Sequence, residues 1–95
     1  MDSTLAKLTV VAVDDDDLAL SLLESVLINE GFEVFTTTDS ETAIKLIEEK
    51  RPAVVLSDLM MPNVDGFELC KQVREHPELN ETKFVVISAK AYHSD

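Results

Sequence analysis

Ninety-five residues, 45% of them hydrophobic, suffice for one packed domain spanning residues 1–95 and argue against disorder. Nineteen acidic residues against eight basic ones leave a net charge of −11, which speaks against direct binding to nucleic acid or to an anionic membrane, since both need a basic footprint. No apolar run reaches the length of a membrane span, the start MDSTLAKLTV carries no secretion signal, and the lone Cys70 fits a reducing cytoplasm.

Taken in order, the chain alternates strand and helix. KLTVVAV (7–13) is a nearly continuous β-branched run, as a strand buried on both faces requires. Four carboxylates, Asp14 to Asp17, follow it. From Leu18 to Glu30 the residues Leu18, Leu22, Leu23, Val26 and Leu27 recur at helical spacing until Gly31 stops the helix. EVFTTT (33–38) is a more polar strand and so belongs nearer an edge. DSETAIKLIEEK (39–50) predicts a helix with Asp39 or Ser40 as N-cap and Ala43, Ile44, Leu46 and Ile47 inward, broken by Pro52. AVVLSD (53–58) is a third buried strand. LMMPNVDG reads as a loop, marked by Pro62, Asn63 and the Asp65-Gly66 turn signal. FELCKQVREH (67–76) is a third helix bearing Phe67, Leu69, Cys70 and Val73, PELNET a loop, and KFVVISA (83–89) a fourth apolar strand.

Such alternation implies an α/β fold, a doubly wound parallel sheet with helices on both faces. A polar second strand at the edge favours the order 2-1-3-4 over 1-2-3-4. Strand order then reverses between strands 1 and 3, and ligands of open α/β sheets bind at such a switch point, outside the carboxyl ends of the strands. Asp14 and Asp15 end strand 1 and Asp58 ends strand 3, so with backbones about 4.8 Å apart three carboxylates converge there. A hard divalent cation relieves their repulsion, and Mg²⁺ suits one or two carboxylates, several waters and phosphate oxygens. Asp16 and Asp17 are read instead as helix N-terminal acids, favoured by capping and the dipole.

VAVDDDDLALSLLESVLINEGFEV, VVLSDLMMPNVDGFELCKQVR and VVISAKA together resemble the receiver domain of bacterial two-component response regulators, over residues 7 to 91. The resemblance implies a flavodoxin-like fold and phosphorelay signalling. Asp58 would take a phosphoryl group from a phosphohistidine of a sensor histidine kinase or phosphotransfer protein. Asp14, Asp15, Asp58 and the backbone carbonyl of Met60 would hold Mg²⁺, and Ser88 would be the switch hydroxyl. An output domain of unknown type is implied as a further partner, and no activity on an external substrate.

The remaining notable side chains read as structural. Met60 and Met61 carry thioethers too soft for Mg²⁺. Pro62, Asp65 and Gly66 shape their loop, His76 and His93 lack ligand spacing, Cys70 reads as core, and Lys90 as a solvated lysine on the rim.

The chain also departs from the family's pattern. The resemblance implies a fifth strand with flanking helices, a lysine ending that strand and an aromatic switch residue, and no lysine here matches that role. The sequence thus reads as a receiver lacking its last helix–strand–helix. Two other function classes compete with a working receiver: a pseudo-receiver interaction domain that never turns over phosphate, and a Mg²⁺-dependent phosphohydrolase with Asp58 as nucleophile. The hydrolase pattern wants an aspartate two residues after the nucleophile, where this chain has Met60. An apolar strand 4 without a neighbour also predicts self-association, as a homodimer through strand 4 or the uncovered sheet face.

Overall fold

The computed structural model describes residues 7–58 and 65–87. Its centre is β1 (Thr9–Val13), buried from Val10 onward. β2 (Glu33–Thr37) pairs with one edge of β1 and β3 (Val54–Asp58) with the other, and β4 (Lys83–Ile87) pairs with β3. All pairings are parallel and the order is β2-β1-β3-β4, as the polar second strand predicts. The fold is therefore the flavodoxin-like α/β sheet expected of the sequence.

Between the strands run α1 (Asp17–Asn29), α2 (Ser40–Lys50) and α3 (Gly66–Arg74). Gly31, just beyond α1, has a φ of +100°, which a residue without Cβ adopts freely. α2 ends differently, at Arg51 with φ 45°, whose N–H donates to the Ile47 carbonyl at 2.8 Å. Pro52 then has no N–H to continue the helix. The buried Thr82 hydroxyl donates to the Pro52 carbonyl at 2.7 Å, joining this corner to the start of β4. PELNET, expected as a loop, contains a short 3-10 turn at Pro77–Leu79, with Leu79 buried in the core.

Alternation along the strands separates two faces. Val11, Val13 and Val55 point to one, where Ala43 and Ile47 of α2 and Leu69 and Val73 of α3 complete a core at 0–1% exposure. Val10 and Ala12 point to the other, where α1 packs on β1 and β2. His76, after α3, ties the first face shut: its Nε2 lies 2.8 Å from a Glu48 carboxylate oxygen on α2 and its Nδ1 3.3 Å from Glu78. The Glu78 carboxyl is held below its ordinary range, chiefly by its own backbone N–H, with desolvation opposing and His76 adding to the lowering.

Burial corrects several expectations. In α1 the buried residue is Leu20, with Leu23 and Leu27 half-buried beside it, whereas Leu18, Leu22 and Val26 are 69%, 61% and 59% exposed. At 100° per residue these are opposite faces of one helix, so the apolar set picked out by spacing mixes both. Phe67, in the first turn of α3, is exposed, Cys70 is half-buried rather than core, and Val85 in β4 is 44% exposed. Among the described residues, no helix is long and apolar enough to cross a membrane.

Candidate functional site

The parallel register decides what meets at the carboxyl edge of the sheet. Val13 pairs with Ser57, so the next residues, Asp14 and Asp58, stand side by side as their strands end. Asp14 N–H still donates to the Thr37 carbonyl of β2 at 3.3 Å, which holds this turn to the sheet. Asp58 is 5% exposed, Asp14 half-buried and Asp15 exposed. Carboxylate oxygens of Asp14, Asp15 and Asp58 all lie within 4.8 Å of one another. The convergence read from the strand ends is thus present.

Electrostatics says what such a group wants. Two like charges about 4 Å apart repel by about 1 kcal/mol in bulk water and about 4 kcal/mol at the effective dielectric near a protein surface. A cation placed among such groups relieves that repulsion. Three hard carboxylate oxygens within 4.8 Å of one another, one of them on an exposed residue, fit a small divalent cation that keeps part of its hydration shell.

The four consecutive carboxylates therefore divide their work. Asp16 is the N-cap of α1: its side chain accepts from Leu18 N–H at 3.0 Å and Ala19 N–H at 3.4 Å. Asp17 is the first helical residue, exposed, where a negative charge is favoured by the dipole. Asp65 caps α3 in the same way, accepting from Glu68 N–H at 2.8 Å, and Asp39 is the cap of α2. Periodicity could not decide between Asp39 and Ser40; the extended φ and ψ of Asp39 do.

Asp58 pairs in register with Ile87, the residue before Ser88. Ser88, Met60, Met61, Pro62, Lys90 and His93 lie outside the described residues. Among the described residues, clefts open elsewhere, of about 540 Å³ beside Cys70, Arg74 and Lys83, and about 380 Å³ beside Lys7, Arg51 and Glu78. Neither borders the three converging aspartates.

Residues 10–95 match the family model of the response regulator receiver domain. The chain belongs to that family. Over 66 residues it is 38% identical to the alkaline phosphatase synthesis transcriptional regulatory protein PhoP of Bacillus subtilis, covering 70% of this chain but 28% of that one. The chemotaxis response regulator CheY4 of Vibrio cholerae superposes with a TM-score of 0.81 at 31% identity, over 85% of this chain and 68% of that one. The receiver domain of the sensor histidine kinase PA1611 from Pseudomonas aeruginosa, whose structure holds a magnesium ion in its active-site cleft, has the same fold, with a TM-score of 0.83. Its identity is 22%, over 95% of this chain and 74% of that one. Receiver domains are signalling domains of two-component systems.

Proposed function

We propose that this receiver domain takes part in phosphorelay signalling, with Asp58 accepting a phosphoryl group from a phosphohistidine of a sensor kinase or phosphotransfer protein. The N–P bond of the donor breaks as the Asp58 carboxylate oxygen forms a new O–P bond, giving an acyl phosphate. The observation that carries this reading is the placement of a nearly buried Asp58 within 4.8 Å of two further carboxylates at a strand-order switch point. Asp14, Asp15, Asp58 and the Met60 carbonyl would hold Mg²⁺, in line with the magnesium ion of the PA1611 domain. When bound, that ion would neutralise charge on acceptor and donor oxygens alike.

The protein's own residues supply the rest. Asp58 ends a paired strand and is 5% exposed, so its surroundings limit the positions its carboxylate can take before attack. Ser88, one residue beyond the register partner of Asp58, is assigned as the hydroxyl that reads the acyl phosphate. New charge and acceptor oxygens at that point can reorder an adjoining loop. Leu18, Leu22 and Val26 form an exposed apolar stripe on α1, which starts two residues after Asp15. That stripe is assigned as the docking surface for the phosphohistidine donor.

Incubation with Mg²⁺ and acetyl phosphate tests the acceptor. Intact mass should rise by one phosphoryl group in wild type, and Asp58→Asn should show no gain. No gain in wild type would favour the pseudo-receiver reading, in which the α1 surface docks a partner without phosphate chemistry. Gain persisting in Asp58→Asn would refute the assignment of the acceptor.

A further inference from the structure

The third acid of the run does more than begin a helix. Asp16 makes hydrogen bonds in both directions along the chain. Its own backbone N–H donates to Asp14 Oδ1 at 2.9 Å, and its side-chain Oδ1 accepts from the N–H groups of Leu18 and Ala19. Its carbonyl also accepts from Leu20 N–H at 3.0 Å, the first full turn of α1. One residue thus couples the carboxylate of Asp14 to the first turn of the helix.

We propose that Asp16 is a positioning residue for the divalent-cation site, acting through Asp14. The inference rests on the metal reading given above and deepens it. A carboxylate turns about two side-chain bonds, and a bond from Asp16 N–H to one oxygen fixes that rotation and with it the direction of the remaining lone pairs. The N–H is aimed by the torsions between residues 14 and 16, a short turn whose far end is Asp16 at the start of α1. The side-chain cap over the Leu18 and Ala19 N–H groups anchors that far end to the helix. Without the cap the first turn frays, and Asp14 loses this one restraint while remaining chemically intact.

A rival explanation is that Asp16 attracts the cation merely by its charge. Asp16 is exposed, and its side-chain oxygen is turned toward α1 N–H groups. Substitution by asparagine separates the two, because it keeps the capping oxygen and removes the charge. Asp39, which caps α2 through Glu41 N–H at 2.9 Å, provides a cap without a ligand attached.

Calorimetric titration of the whole 95-residue chain with Mg²⁺ decides it. Asp16→Ala should weaken binding about tenfold, the low end of what loss of a group supporting a metal ligand produces. Asp16→Asn should stay within about twofold of wild type, and Asp39→Ala should leave affinity unchanged while lowering the melting temperature about as much as Asp16→Ala. Equal losses in Asp16→Ala and Asp16→Asn would make the effect one of charge and overturn the proposal. So would an equal loss in Asp39→Ala, which would reduce it to general stability. A wild type that binds while Asp16→Ala binds as well defeats this inference alone. A wild type that binds no Mg²⁺ defeats the metal reading and this inference with it.

Discussion

Both faces of the sheet are sealed at the strands, but the helices that cover them differ. On the side of α2 and α3, Val11, Val13, Ile47, Val55, Leu69 and Val73 are sealed to 0–1% exposure. On the side of α1, Leu20 alone of that helix is buried, while Leu18, Leu22 and Val26 face outward. Helical spacing is satisfied twice on α1, once by the stripe that packs and once by a stripe left over. A surplus of this kind is not needed for folding, and it begins at Leu18, three residues after Asp15, which supports the docking role proposed for it.

The largest effect should come from the sealed face. Ile47→Ala removes three carbons from a fully buried site and should cost about 2–5 kcal/mol. Leu22→Ala, at an exposed site, should cost about 0.5 kcal/mol or less. Urea unfolding of both variants beside wild type makes the measurement. Comparable losses would mean that Leu22 is covered in solution, and the contrast between the faces would collapse.

This contrast also marks what the sequence could and could not say. The strand runs around Val11 and Val55 and the polar Glu33–Thr37 segment predicted the sheet order, because burial on both faces leaves a continuous apolar signature. Asp14, Asp15 and Asp58 were legible as a group because parallel strands end on the same side. The face chosen by α1 was not, since spacing reports that a helix is amphipathic but cannot rank two apolar stripes. Leu20 in α1 could have been found by giving weight to the set Leu20, Leu23 and Leu27 at i, i+3 and i+7. Phe67 misled for another reason: it falls in the first turn of α3, beyond the edge of the core. Nor could spacing show that Asp16 binds back to Asp14, a matter of backbone angles at a cap.

A second, smaller effect sharpens the role of the outer stripe. Leu22→Glu places a charge at the middle of it without disturbing the buried side of α1. Transfer from a phosphorylated histidine donor should slow about tenfold, roughly the 1.4 kcal/mol expected of a single apolar contact turned unfavourable. Phosphorylation by acetyl phosphate, which needs no docking, should stay within about twofold of wild type. Parallel time courses with the two donors check this. A loss shared by both would place the damage in the acidic site rather than in docking.

The smallest effect concerns the edges of the sheet. Among the described residues β4 pairs with β3 alone, so its outer row of backbone groups resembles that of β2. The two edges differ in side chains: β2 carries Glu33, Val34, Phe35, Thr36 and Thr37, whereas β4 carries Lys83 followed by the unbroken apolar run Phe84, Val85, Val86 and Ile87. We therefore expect the 95-residue chain to self-associate through β4. A two-fold antiparallel pairing centred on Val85 would set Phe84 opposite Val86 of the second copy, a favourable aromatic and β-branched pair. It would also bring Lys83 to the Ile87 end of the other strand, level with Asp58 in the register. The net charge of −11 on each copy opposes this, so association should be weak, with a Kd of about 0.1 mM (roughly −5 kcal/mol), and should tighten as salt screens the repulsion. Sedimentation equilibrium over a hundredfold concentration range, at low and high salt, measures both. Val85→Lys should abolish the dimer by opposing like charges at the two-fold axis. A monomer at every concentration and salt would mean that β4 is no more adhesive than β2, and that side-chain polarity does not distinguish the two edges.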